Sequence, residues 1–305
     1  MRVFVTGASG HIGSAVVPEL LTAGHQVVGL ARSDASAARL EAAGAEVRRG
    51  DLTDPAGLAE AAAAADGVIH LAFIHERMAA GDWLSAVAAD LAAIQAMGAA
   101  LTGSGKPFVT TSGTLMLAMG GVTGRPGTEA DALEGGPRVD AENHVVALAG
   151  EGVRSSVIRL PPTVHSDLDH HGFVPVLIGI ARETGVAGYV GDGANRWPAV
   201  HTLDAARVYR LALESAPAGT RLHAVADAGV PFRDIAGAIG RQLGVPVEPR
   251  PEEHFAFLAR FAGLDGPASS ARTRELLGWR PEHPGLLADL DAGHYFAEQA
   301  AAPIA

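Results

Sequence analysis

Residues 1–34 read MRVFVTGASGHIGSAVVPELLTAGHQVVGLARSD, and this stretch decides the fold class. Arg2 to Thr6 is a short, mostly apolar run, the pattern of a buried strand. Gly7, Gly10 and Gly13 follow three apart, and apolar residues then recur at helical spacing toward Gly24, a natural C-terminal stop. Strand, glycine turn and helix in that order make a cradle for a dinucleotide pyrophosphate. Gly7 permits the tight turn, Gly10 lets backbone approach the phosphate oxygens, and Gly13 lets helix and strand pack closely. Ser9, His11 and Ile12 are expected to line the anion beside them, at the positive end of the helix. An ordinary glycine-rich turn shows the same spacing, but the strand before and the amphipathic helix after favour a nucleotide.

The next strand ends in GLARSD, residues 29–34. An NAD-selective site carries an acidic residue here for the ribose 2′-hydroxyl. Ala31 is neutral, and Arg32 with Ser33 suits a 2′-phosphate, so NADP(H) is the expected cofactor. Asp34 is expected to cap a helix starting at Ala35. The plainer reading of Arg32 is a solvated surface cation.

Strand and helix patterns alternate through the first half: HQVVGLA, AEVRRGD, GVIHLAF, PFVTTSG and RSSVIRL read as strands separated by helices. Helical connections of this length imply right-handed crossovers and a parallel sheet covered on both faces. The expected fold is α/β, a Rossmann-type doubly wound parallel sheet over residues 1–162. Residues 163–305 are expected to form a smaller, mainly helical substrate lobe with segments returning to the main sheet. The terminal AAPIA is expected to fray.

Composition narrows the partners. There is no cysteine, which excludes disulfides, thiolate nucleophiles and cysteine zinc sites. A net charge of -11 counts against nucleic acid or an anionic membrane as partner. No stretch approaches the roughly 20 uncharged residues of a membrane span. The first residues enter a strand directly, with no room for a signal peptide, so a cytoplasmic protein is expected. The only lysine is Lys106, and the tyrosines are Tyr189, Tyr209 and Tyr295.

With these features the chain resembles the short-chain dehydrogenase/reductase superfamily, in its extended and atypical branch with Gly-x-x-Gly-x-x-Gly spacing. The resemblance runs over essentially the whole chain. It implies that Asp51 and Leu52 of GDLTD contact adenine, and that Leu71, Ala72 and Phe73 of HLAF pass the cofactor ribose. It places Thr111 by the cofactor, Ser112 of TTSG as the catalytic serine, and Pro161 and Pro162 of RLPPTVH under the nicotinamide. His201 and Asp204 match a later helix start, and LLGWRP matches the family's C-terminal end.

The departure is equally specific. The family's proton donor is a tyrosine four residues before a lysine. Here those positions hold Glu134 and Arg138, and residues 1–188 contain no tyrosine. The usual asparagine of the long central helix is replaced by Asp90, a change typical of the atypical subgroup. Arg138 is expected to orient the cofactor in place of the lysine. His165, after the proline pair and able to titrate near neutrality, is the first candidate for proton donor. Its plainer role is packing at the crevice wall. Thr114, His75 and Phe173 are expected to meet the substrate. VHSDLDHHG gathers His165, Asp167, Asp169, His170 and His171, but its spacing fits no compact metal pattern, and a polar loop explains it more simply.

The expected function is an NADP(H)-dependent carbonyl reductase or alcohol dehydrogenase acting on a small-molecule carbonyl or alcohol. The alternative is a nonenzymatic NADP(H)-binding sensor or scaffold. A sugar-nucleotide epimerase or dehydratase ranks third, because it needs the missing proton shuttle. The resemblance also implies a homodimer through the helices near residues 82–103 and 139–151, unless the monomer itself covers both.

Overall fold

The computed structural model describes residues 1–79 and 81–297, so the AAPIA tail lies outside the described residues. In chain order the first half runs β1 (Arg2–Thr6), α1 (His11–Thr22), β2 (Gln26–Ala31), α2 (Asp34–Ala42), β3 (Glu46–Arg49), α3 (Pro55–Ala64) and β4 (Gly67–His70). It continues with α4 (His75–Ala79), α5 (Trp83–Leu101), β5 (Pro107–Gly113), α6 (Leu115–Met119), α7 (Val139–Ala147) and β6 (Arg154–Leu160). The second half adds β7 (Thr163–His165), α8 (Phe173–Thr184), β8 (Ala187–Tyr189), β9 (Arg196–His201), α9 (Thr202–Ser215), β10 (Thr220–His223) and β11 (Asp227–Pro231). After these come α10 (Phe232–Leu243), β12 (Val247–Pro249), α11 (Ala259–Ala262), α12 (Ala271–Leu277) and α13 (Leu286–Asp291).

Seven strands form one parallel sheet in the order β10-β6-β5-β4-β1-β2-β3. The chain moves outward from β1 to β3, then crosses back to β4 and builds the other way. The order therefore reverses between β1 and β4, and the crevice beyond their carboxyl ends is where such sheets take ligands. Gly7 follows β1 there, and Leu71 follows β4.

Side-chain alternation assigns the two faces. Val3 and Val5 of β1 pack with Val16, Val17 and Leu20 of α1 and with Val208, Tyr209 and Ala212 of α9. Phe4, between them, joins Leu58 of α3, Ile94 and Met97 of α5, and Val145 of α7. A third core lies in the second lobe, where Trp197, Phe232, Phe255, Leu286 and Tyr295 cover two small sheets, β11-β9-β7 and β12-β8.

Residue 162 is not a clean boundary. β10 completes the main sheet and α9 covers one of its faces, so much of the second half belongs to the first body. Asp204 secures this return, accepting from the backbone N–H of Glu282 and His283, while its carbonyl accepts from Trp279 Nε1.

α5 corrects the reading of apolar stretches. Its 19 residues are long and apolar enough, by length and composition alone, to cross a membrane. In the fold its stripe of Ala86, Asp90, Ala93, Ile94, Met97 and Leu101 is buried, and α3 and α7 pack beside it.

Two glycines test the packing argument. A Cβ on Gly13 would lie 2.2 Å from the Gly7 carbonyl oxygen, whereas one on Gly179 in α8 meets nothing within 4 Å. Gly13→Ala is expected to destabilise by about 1–3 kcal/mol through overpacking. Gly179→Ala should stabilise by about 1 kcal/mol through helix propensity. Urea unfolding of the two variants checks both signs.

Candidate active site

The cradle after β1 is built by close backbone approach. Gly7 has φ +66°, and a Cβ there would fall 2.7 Å from the Ala72 nitrogen, so the glycine turn sits directly on the loop after β4. Gly10 starts α1 as its N-cap and offers no side-chain acceptor. By contrast, Ser33, Asp54 and Asp82 cap α2, α3 and α5 with side-chain oxygens. The first-turn amides of α1, from His11, Ile12 and Gly13, are therefore left for an anion, and this chain fits a dinucleotide pyrophosphate there. Ser9, half-buried, lies in the same turn.

At the ribose end, Ser33 rather than Asp34 caps α2: its Oγ accepts from the Ser36 amide at 3.1 Å. Asp34 lies in the first turn and pairs with Arg49, which also donates to the Ser33 carbonyl at 2.6 Å. The cap expected one residue later is thus corrected. Arg32 is exposed and pairs with Glu76 of α4. Asp51 accepts from the Thr53 hydroxyl at 2.6 Å and from its amide, which hold the carboxyl below its usual range, and Leu52 is buried beneath.

β5 supplies the reactive end, and alternation separates its hydroxyls. Thr111 turns toward α9, donating to the His70 carbonyl at 2.9 Å and meeting Tyr209 Oη at 2.8 Å. Its hydroxyl is therefore engaged with β4 and α9. Burial pushes the Tyr209 phenol up, so this tyrosine is a core hydroxyl and no proton donor. Ser112 turns the other way, beside Glu142 of α7. Burial would raise the Glu142 carboxyl, but Arg159 and Arg221, at 2.5 and 2.7 Å, hold it below its usual range. Thr114 Oγ1 is buried and, among the described residues, makes no hydrogen bond, whereas the buried Ser112 hydroxyl faces the Glu142 carboxylate and helps to hold it below its usual range.

Behind them runs a buried chain that joins β1 to α7. The Ala72 amide donates to Thr6 Oγ1 at 3.3 Å, and Thr6 Oγ1 meets His70 Nδ1 at 2.7 Å. His70 Nε2 meets Asp90 Oδ1 at 3.1 Å, and Arg138 reaches Asp90 Oδ2 at 3.5 Å. With Thr6 accepting from Ala72, its own proton goes to Nδ1, and Nε2–H donates to Asp90. Arg138 also donates to the Thr111 carbonyl at 3.1 Å, and its Cζ sits 4.4 Å over the Phe73 ring. Its backbone has φ 68°, an uncommon conformation for a residue with a Cβ that the surrounding contacts must hold. Phe73 in turn packs on His75 and Trp83, with ring centroids 5.2 and 5.8 Å away. Glu134, at the family's tyrosine position, is exposed.

Residues 7–129 match a family model described as NAD(P)H-binding. An uncharacterized protein of Schizosaccharomyces pombe is 45% identical over 97% of this chain and 100% of its own length. A 2-alkyl-3-oxoalkanoate reductase of Stenotrophomonas maltophilia is 29% identical over 81% of this chain and 77% of its own. Among solved structures, a dTDP-glucose 4,6-dehydratase of Streptomyces venezuelae with NAD bound superposes with a TM-score of 0.75, at 22% identity, covering 98% of this chain and 97% of that one. The chain belongs to one family with the Schizosaccharomyces pombe protein and carries an NAD(P)H-binding domain on the fold of the dehydratase.

His165, the candidate proton donor whose plainer role is packing, sits at the junction of the lobes. Its ring is fully buried, with Nδ1 2.8 Å from Asp289 Oδ2 and the His201 ring edge-on at 5.6 Å. The ring packs there with its Nε2 buried and, among the described residues, without a partner. Pro161 is buried and Pro162 half-buried where β6 leaves the sheet. Phe173 opens α8 and joins an aromatic cluster with Trp197, Phe257 and Phe261, a wall of the second lobe.

The histidine-rich loop is taken apart. His170 and His171 are exposed, while Asp169 turns inward to accept from the Gly172 amide and from Tyr295 Oη. Its Oδ1 lies 3.6 Å from His11 Nδ1, and His11 Nε2 meets Thr202 Oγ1 at 2.9 Å. His11 therefore ties the phosphate turn to this loop. Burial, with His170, His171 and His165 nearby, lowers the His11 pKa to about 4, and burial raises Asp169 to about 6.

The Asp169 shift has a sign that can be measured. Its folded pKa exceeds the unfolded value, so the folded state holds the extra proton and stability declines as pH rises from 3.8 through about 6. Asp169→Asn removes that dependence. Relative to wild type, the variant is expected to gain on the order of 2–3 kcal/mol between pH 4 and pH 8, about 1.36 kcal/mol per pKa unit. Urea unfolding of both proteins at the two pH values checks it.

Proposed function

We propose that the protein is an NADP(H)-dependent carbonyl reductase for a ketone or aldehyde on an apolar, non-phosphorylated compound. The observation that carries this reading is the pair of buried hydroxyls after β5, Thr114 Oγ1 without a partner among the described residues and Ser112 Oγ facing only the Glu142 carboxylate. A buried hydroxyl without a partner costs about 1–3 kcal/mol. A carbonyl oxygen placed there accepts from Ser112 and is polarised by it.

The bound cofactor supplies a hydride, and the rest of the work belongs to this chain. The first turn of α1 holds the pyrophosphate, and Leu71, Ala72 and Phe73 border the ribose. Arg138, stacked on Phe73 and bonded to the Thr111 carbonyl, fixes that wall beside Ser112. The relative named a 2-alkyl-3-oxoalkanoate reductase supports a ketone as the group reduced.

For the phosphorylated cofactor, the support is the pair of guanidiniums at Ser33: Arg32 adjoins it and Arg49 bonds its carbonyl. Arg32→Ala should weaken NADPH binding about tenfold, a difference of about 1.4 kcal/mol, and leave NADH nearly unchanged. Fluorescence titration with both cofactors checks this. NADPH absorbance decay with activated ketones and aldehydes tests the activity itself. Ser112→Ala should lower kcat/KM about 10²–10³-fold, the loss typical of one oxyanion donor.

One observation favours the sensor reading. Tyr209 and Tyr295 both bond within the core, and the position of the family's tyrosine is an exposed glutamate. Saturable NADPH binding with no consumption across a broad carbonyl panel would establish it.

A further inference from the structure

Arg32, the residue assigned to the cofactor 2′-phosphate, already holds an anion, the carboxylate of Glu76. We propose that Glu76 is a specificity-determining residue: its carboxylate occupies Arg32 in place of the 2′-phosphate and gives up the guanidinium when NADPH binds. The inference rests on the NADP(H) reading of Arg32.

Placement carries it. Arg32 directly follows β2, at the strand end where a dinucleotide fold meets the adenosine ribose. Glu76 comes from α4, 44 residues further along the chain, and so lies outside the segment in which an acidic ribose ligand is sought. The pair sits at the adenosine end of the crevice. Glu76 does most to raise the Arg32 pKa, and the charge of Asp51, the residue expected on adenine, adds to it.

The neighbouring charges are committed elsewhere. Arg49 donates to Asp34 at 2.7 Å and to the Ser33 carbonyl at 2.6 Å. Asp51 accepts twice from Thr53, and Arg77 donates to Ser85 Oγ at 2.8 Å. Arg32 has Glu76 as its single partner among the described residues, and the two side chains are 62% and 61% exposed. This guanidinium is thus the one free to change partners.

The exchange is favourable because the two anions differ. An exposed ion pair with a carboxylate contributes little, whereas a phosphate offers a guanidinium more charge and a bidentate fit. α4 itself stays in place. Arg77 ties it to α5, and the Asp82 amide donates to the Arg77 carbonyl at 2.8 Å. The released carboxylate therefore stays close enough to return when the phosphate leaves. Glu76 thereby limits the preference for NADPH over NADH.

The test uses the full-length protein and two probes of the adenosine end, adenosine 2′,5′-bisphosphate and adenosine 5′-monophosphate, by isothermal titration. Both side chains are exposed, so Glu76→Gln and Arg32→Ala should keep the wild-type urea midpoint. Arg32→Ala should weaken the bisphosphate about tenfold. Glu76→Gln should strengthen it about two- to fivefold, the worth of an exposed ion pair, and leave the monophosphate unchanged. In the Arg32→Ala background that gain should shrink by about half or more, because the exchanged partner is gone.

A bisphosphate weakened by Arg32→Ala but not strengthened by Glu76→Gln overturns the exchange and leaves the NADP(H) reading standing. A Glu76→Gln gain undiminished in Arg32→Ala also overturns the exchange, since plain repulsion between anions then accounts for it. Wild-type protein that binds both probes equally, with no effect of Arg32→Ala, overturns the reading and the exchange together.

Discussion

The contact on which the site depends is the hydrogen bond between Thr6 and His70, the paired last residues of β1 and β4, at 2.7 Å. The sheet order reverses between these strands, so the crevice between their ends is the one place where two loops leave in opposite directions. Thr6 precedes Gly7, and His70 precedes the loop of Leu71, Ala72 and Phe73 on which the glycine turn sits. Fixing these two residues fixes both walls. The same bond starts the buried chain through Asp90 to Arg138, so the phosphate turn and the reactive end are held by one set of contacts.

That chain accounts for how the molecule keeps a polar site without its family's tyrosine and lysine. A lysine would supply a charge on a flexible stem, whereas Arg138 supplies a planar one locked between Asp90, the Thr111 carbonyl and an aromatic face. The positive φ at Arg138 is held by those partners. An aspartate in place of the usual asparagine is consistent with this arrangement, because a buried guanidinium requires an anion nearby.

A second polar junction ties the lobes together. His11 reaches from the phosphate turn to Thr202 and Asp169, and His165 is held by Asp289 from α13. His11, read in the sequence as a phosphate-turn residue, thus connects that turn to the second lobe. Asp289 stands 124 residues from His165 along the chain, and no local pattern announces such a pair.

The glycine spacing and the alternation of apolar residues were enough to read the strands, the helices and the phosphate turn, because each depends on contacts within a few residues, whereas the order β10-β6-β5-β4-β1-β2-β3 came from the fold. The strand ends carrying Ser112 and Phe73 were legible for the same reason. The directions of the side chains were not. Thr111 and Ser112 look equivalent in TTSG, yet the pleat sends one into the core and the other to the site. His165 follows the proline pair in sequence, yet folding buries it against a distant carboxylate. Local sequence determined which backbone groups gather at the crevice. Only tertiary packing decided which polar side chains stay unpartnered there, because a hydrogen-bond partner can come from anywhere in the chain.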